Sequence, residues 1–307
     1  MRPFRFGVSA STAESAQEWR EMARRSENLG FDVFSVADHI GEAYSPFEAL
    51  MAAEAVTGRI RLSTLVLNND LRHPGLVARQ SAMLQEFSNG RFELGLGAGH
   101  AEPEYAEIGL RFDPAAARVA RLGEALPIIK KLFASETVTA HGEHYVVTKH
   151  KVFPLPGAPI PLMVGGNGPQ LLRLAAMQAD IVGFTGLGRT LANGQRHATT
   201  GFAPASVDGR VALVREASGT RFADIELHAL VQFVSVSSDR EATARELARR
   251  MAPLTPDDVM GSPFLLFGTP QEMAEQLRRA RERWGFSYFS TFWPSAEALA
   301  EVIPVLR

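Results

Sequence analysis

The chain contains no cysteine among its 307 residues. That excludes disulfides, thiolate nucleophiles, and zinc or iron–sulfur sites built on cysteine, and it suits a reducing compartment. An excess of charge of either sign is also missing. The 32 Lys and Arg stand against 34 Asp and Glu for a net charge of -2, with the basic residues spread along the whole length. No electrostatic footprint for nucleic acid or for an anionic membrane follows from such a distribution. No window reaches about eighteen uninterrupted apolar residues, and the opening MRPFRFGVSAST lacks the apolar stretch of a secretion signal. The expectation is a soluble cytoplasmic protein. Aromatic residues are few, at 8%, yet 46% of the chain is hydrophobic, which is enough to bury a large core and rules out a disordered or fibrous class.

Short runs rich in Val, Ile, Leu and Phe alternate with helical stretches, the signature of βα units around a parallel sheet. Strands are expected at Phe4–Ser9, Val33–Ala37, Leu62–Leu67, Phe92–Gly97, Leu162–Gly165, Ile181–Phe184, Glu226–Val236 and Tyr288–Phe292. The helices between them carry their own punctuation. Trp19, Met22, Ala23 and Ser26 recur at helical spacing before Gly30, Asp113-Pro114 reads as an N-cap followed by proline, and Thr269-Pro270-Gln271-Glu272 reads as a capping box. The segment 138–161 breaks the rhythm: VTAHGEHYVV reads as a hairpin, and four prolines follow within eight residues. The segment 186–205 turns to Gly, Thr and Asn without periodicity, which suggests a mobile loop over an active site. Eight strands with helices between them, and no linker in mid-chain, predict one (β/α)₈ barrel over residues 1–307.

A barrel of this kind places its active site at the C-terminal ends of its strands, which selects few polar positions. Asp38-His39 follows strand two, where an imidazole beside a carboxylate suits acid–base work or a capped strand end. Asn68-Asn69-Asp70 follows strand three. His141-x-x-His144 sits in the insertion hairpin and reads as a solvated turn. Gly97-Ala98-Gly99-His100 ends strand four but fails the Rossmann spacing, since His100 or Glu102 stands where a glycine is needed; its alternating glycines imply close approach by a ligand or by the preceding helix. Gly165-Gly166-Asn167-Gly168-Pro169 runs straight into a helix, a geometry that suits a phosphate or a tight turn. Thr185 ends strand six.

These residues carry a resemblance. ADHI, RLSTLVLNNDLRHP, SNGRFELGLGAGHAEPEY, PLMVGGNGP and FGTPQEMAEQL together resemble the luciferase-like flavin and deazaflavin enzymes, most closely their F420-dependent oxidoreductase branch. The resemblance implies a homodimeric barrel that binds coenzyme F420 and transfers a hydride to or from a small organic substrate. FMN with a flavin reductase partner is the alternative, and a cofactor-free binding barrel a third reading. It further implies that Asp38 and His39 lie beside the reacting ring. Thr64, Leu65 and Val66 match a bulge with a non-prolyl cis peptide, and Gly97, Ala98 and Gly99 match backbone close to the ring. Gly165, Gly166, Asn167, Gly168 and Thr185 match the loop for the phosphate tail. The chain departs from the deazaflavin-dependent sugar-phosphate dehydrogenases at His100, where those carry a glutamate acid. Their phosphate-holding basic residues have no clear counterpart either, Arg189 falling one position from one of them. The proton step then falls to His39 or His100, with Asp38 orienting His39 or the ring edge, and no metal is expected.

Overall fold

The computed structural model describes residues 2–41, 43–188 and 198–307. Eight parallel strands close into a barrel in chain order: Arg5–Ala10, Val33–Val36, Arg61–Thr64, Phe92–Gly97, Leu162–Gly165, Ile181–Phe184, Glu226–Leu230 and Phe286–Phe292. The ring closes where the eighth strand pairs with the first, Arg5 opposite Tyr288. Helices cover the outside. The helix Ala16–Asn28 starts where the Ser15 side chain accepts from the Glu18 amide, and it buries Trp19, Met22, Ala23 and Ser26 along one stripe. The indole of Trp19 also donates to the Ala49 carbonyl at 2.9 Å, tying the first two helices together. Pro270–Trp284 begins with the expected capping box and ends at Gly285 in the left-handed region. Among the described residues no helix is long and apolar enough to cross a membrane.

Several expectations need correction. The apolar run Glu226–Val236 is not one strand: pairing in the barrel ends at Leu230, and Phe233–Val236 joins Leu265–Gly268 in a separate two-stranded parallel sheet. The cause is a change of partners, the Val231 amide donating to Ser290 and the next amide, of Gln232, to Phe264. The eighth strand starts at Phe286 rather than Tyr288. Asp113 does not cap its helix, which begins at Ala115; its carboxylate accepts from Arg121 and Arg111 instead. Of the segment 186–205, residues 189–197 lie outside the described residues. Its flanks are a 3₁₀ turn at Thr199–Phe202 and the start of the helix Pro204–Ser218, which sequence patterning missed.

The third strand is interrupted as expected. Regular pairing stops at Thr64 and resumes at Leu67–Asn68, with a cis peptide between Leu65 and Val66. Glycines on the neighbouring strands make room for this bulge. A Cβ on Gly95 would lie 2.0 Å from the Thr64 carbonyl oxygen, and one on Gly97 would lie 2.8 Å from a Val66 methyl. Gly95 and Gly97 of the fourth strand therefore answer to the bulge beside them.

The barrel interior is ionic near the N-terminal ends of the strands. Arg5 pairs with both Glu93 and Glu226, and Arg61 also reaches Glu93. Just above, His228 lies against the Tyr288 ring, 4.4 Å between centroids, and its Nε2 is 2.6 Å from the Ser290 hydroxyl. Burial, reinforced by the charge on Arg5, pushes the His228 imidazole down to about 3. Because this folded value lies below the ordinary 6.5, the contribution of His228 to stability is complete above pH 6.5 and is lost as pH falls toward 3. Unfolding free energy should fall by up to about 1.4 kcal/mol per pH unit from this one site below its ordinary value. Denaturant titrations at pH 7, 5.5 and 4.5 should give a shallower acid slope for His228→Asn than for the parent; equal slopes would contradict the assignment.

Candidate active site

The C-terminal strand ends gather the polar residues picked out by the sequence, but barrel closure sorts them into two groups. One group is committed to architecture. Asp38 is buried, and its carboxylate accepts from both terminal nitrogens of Arg72 and from the Asn68 amide at 2.9 Å. It does not orient His39. Asn68 and Asp70 both lie 3.1 Å from the Tyr105 hydroxyl, which burial chiefly raises to about 12. Asn69 donates to the Tyr145 hydroxyl, and Asp70 pairs with Arg121. Thr64 closes on the Gly95 backbone, its hydroxyl donating to the carbonyl at 2.8 Å and accepting from the amide at 2.9 Å. Gly99, at φ +75°, leaves the space that Tyr105 and Asn68 fill, and the Ala98 carbonyl accepts from Arg118.

The hairpin Val138–His141 and Val146–His150 is likewise structural at its tip. The Glu124 carboxylate accepts from the amides of Glu143, His144 and Tyr145. His141 therefore ends a hairpin strand and His144 sits on its pinned turn.

The second group faces the opening. His39, directly after the second strand, places Nδ1 2.6 Å from Glu104 Oε1, while the Ile40 amide donates to the other oxygen of the same carboxylate at 3.2 Å. Glu104 belongs to the short helix Glu102–Glu107, which begins just beyond the fourth strand. His100 stands edge-on to His39, ring centroids 5.7 Å apart. The structure thus brings the two histidines together, with Glu104 taking the place expected for Asp38.

The glycine loop after the fifth strand forms a separate cluster. Gly166 sits at φ +154°, a backbone conformation that strains any side chain, and a Cβ there would also lie 2.1 Å from the Leu171 Cδ2. Its amide is spent on the Gly183 carbonyl at 3.0 Å. That amide is therefore not turned to a ligand. Gly168 differs: it caps the helix Pro169–Gln178 with ordinary dihedrals, and nothing lies within 4 Å of the side-chain position it leaves empty. Asn167 donates to the Thr185 hydroxyl at 2.6 Å and to the Leu187 carbonyl, and its own carbonyl oxygen accepts from Arg210 at 2.9 Å.

Arg210 was not foreseen. It lies on the same helical face as the buried Val207, Val211 and Val214, so a lone arginine on an apolar stripe was the available signal. It also donates to the carbonyls of Gly201 and Ser206. Burial alone pulls it down to about 10, and no carboxylate among the described residues offsets that cost. A half-buried guanidinium held, among the described residues, by neutral oxygens, beside a helix N-terminus, suits an anionic ligand.

The family is shown by a match of residues 1–288 to the luciferase-like monooxygenase model, and the chain belongs to that family. Among curated proteins it is similar to the F420-dependent glucose-6-phosphate dehydrogenase of Nakamurella multipartita, 35% identical over 187 residues, covering 58% of this chain and 55% of the relative. The chain thus spans about half the length of that relative. A second such dehydrogenase, from Kribbella flavida, is 28% identical with 99% of this chain and 98% of the relative covered. The fold is similar to that of an F420-dependent secondary alcohol dehydrogenase in complex with an F420–acetone adduct, with a TM-score of 0.78, 20% identity and full coverage of both chains. The coenzyme F420 dependent tetrahydromethanopterin reductase of Methanopyrus kandleri gives the same TM-score at 19% identity, again with both chains fully covered.

The two loop glycines should separate in stability. Gly166→Ala must hold φ +154° and displace the Leu171 side chain, and should cost about 1–3 kcal/mol in denaturant unfolding. Gly168→Ala meets open space and should stay within about 1 kcal/mol of the parent. Equal losses at the two positions would contradict the geometry.

Proposed function

We propose that the chain is a cytoplasmic oxidoreductase that moves a hydride between coenzyme F420 and a small organic substrate. The observation that carries this reading is the anion-ready end of the glycine loop: Arg210 half-buried with no carboxylate partner among the described residues, Asn167 and Thr185 locked to each other, and open space at Gly168. A deazaflavin whose side chain carries a phosphate fits that end, and the similar dehydrogenases are named for the same coenzyme. The phosphate would be held by Arg210, the Gly168 amide and the Thr185 hydroxyl, with Gly97, Ala98 and Leu65–Val66 toward the ring. Bound there, the coenzyme supplies a site that donates or accepts a hydride but reacts poorly with oxygen.

The chain's own residues supply the rest. The imidazole of His39, about two-fifths exposed, can give a proton to a substrate oxygen or take one from it at Nε2. His100 lines the same opening. Arg72 neutralises Asp38, so that this buried carboxylate adds no net charge beside the histidines. A homodimer is part of the proposal. Leu76, Met83 and Phe87 are exposed along one helix, and Phe153 and Leu155 are exposed on the adjoining loop, which packs His150 against Gly75 and lies under Gln85 at Ala158. An apolar surface of this extent marks an interaction face.

Melting with each cofactor tests the reading. At about one hundred times its dissociation constant, coenzyme F420 should raise the unfolding free energy by about 2.7 kcal/mol. Gly168→Val should bind it at least about tenfold more weakly while melting like the parent in its absence. Stabilisation by FMN in place of F420 would overturn the cofactor assignment and favour a monooxygenase with a flavin reductase; stabilisation by neither would favour a binding barrel.

For the assembly, light scattering should give twice the chain mass for the parent and a single chain mass for Met83→Asp. A parent of single mass at micromolar concentration would end the dimer proposal.

A further inference from the structure

We infer that Glu104 is the positioning residue for the proton step, holding His39 in the tautomer that turns Nε2 to the substrate. The inference rests on the function proposed above for its consequence in turnover, but its geometry stands apart from any cofactor. The Glu104 carboxylate is doubly fixed: one oxygen lies 2.6 Å from His39 Nδ1 and the other accepts from the Ile40 amide, one residue further along the same loop. Its side chain is 17% exposed and that of His39 39% exposed, so the pair straddles the rim of the opening, carboxylate inward. A carboxylate accepts and cannot donate, so in either charge state of the ring Nδ1 carries the hydrogen of this bond. Nε2 is then a donor in the imidazolium and an acceptor in the neutral ring. Free imidazole side chains in water favour the opposite neutral tautomer, with the proton on Nε2, so the preference here is imposed by Glu104.

The chemical consequence follows. When a substrate carbonyl carbon receives a hydride from the reduced deazaflavin, the carbonyl π pair moves to oxygen. The Nε2 proton passes to that oxygen, and the N–H bond pair stays on Nε2. The ring is left neutral with its remaining proton on Nδ1 against Glu104, and no further rearrangement is needed. In the reverse direction Nε2 takes the hydroxyl proton as the hydride leaves. Asp38, the sequence neighbour of His39, cannot serve this role because Arg72 and the Asn68 amide hold its carboxylate.

The test uses the whole chain without cofactor. Ring nitrogen-15 spectra at a pH where His39 is neutral should report the Nδ1–H form in the parent and a shift toward the Nε2–H form in Glu104→Ala. Glu104→Gln, whose amide oxygen can still accept, should keep the Nδ1–H form. Should Glu104→Ala fail to fold, Glu104→Met fills the same length and carries the same expectation. With coenzyme and any substrate that turns over, kcat should fall about 10- to 100-fold in Glu104→Ala, with coenzyme affinity within about twofold of the parent and partial recovery in Glu104→Gln. An Nε2–H tautomer in the parent, or spectra unchanged in Glu104→Ala, would overturn the inference. Failure of F420 to bind would leave the spectra untouched and count against the proposed function alone.

Discussion

The site depends on the close approach of the third strand's bulge to its neighbours. The Thr64 carbonyl and the Val66 side chain occupy the volumes that side chains on Gly95, Gly97 and Gly165 would need. Thr64 then bonds the Gly95 backbone in both directions. With the fourth and fifth strands drawn in so closely, the bulge is carried into the barrel mouth instead of being flattened into the sheet. The strand resumes at Leu67–Asn68, and the amide of Asn68 meets Asp38 across the second strand. One steric constraint therefore fixes the relative heights of strands two to five, from which His39, Glu104 and the glycine loop all project.

Polar residues at a barrel mouth must be paired or exposed, since a buried unpaired group costs kilocalories. That rule explains the division seen here. Asp38, Asp70 and Asp113 each meet an arginine, and Asn68 and Asn69 meet tyrosine hydroxyls. This network satisfies itself apart from Asp70 Oδ1, a buried oxygen with no hydrogen-bond partner among the described residues. His39 and Arg210 are the exceptions in different senses, one held at a single ring edge and the other half-buried among neutral oxygens.

The barrel was legible in the sequence because its strands are short apolar runs bounded by Gly, Pro and capping residues, signals that act within a few residues. The bulge at Leu65–Val66 and the glycine loop could be read through resemblance, and the structure places both at strand ends. What sequence reading missed depends on contacts between units. Asp38 finds Arg72 and His39 finds Glu104 across 34 and 65 positions, spacings that only closure of the ring brings together. The split of Glu226–Val236 was hidden for a similar reason, because periodicity cannot tell which of two sheets will receive an apolar residue. Arg210 escapes because its helix follows a Gly- and Thr-rich stretch whose lack of periodicity reads as loop up to residue 205.

Charge is distributed along the barrel axis in a way that bears on where chemistry can occur. At the N-terminal end Arg5, Arg61, Glu93 and Glu226 neutralise one another, and His228 above them is kept uncharged by burial. At the C-terminal end the acidic residues of strands two and three are cancelled by Arg72 and Arg121, but the cation beside strand five has no carboxylate among the described residues. The mouth is thus biased toward an anion on the strand-five side and toward proton transfer on the strand-two side, with the bulge of strand three and the glycines of strand four between them. A ligand that is anionic at one end and reacts at the other matches that polarity. A neutral apolar ligand would cover the half-buried Arg210 without supplying a counter-charge.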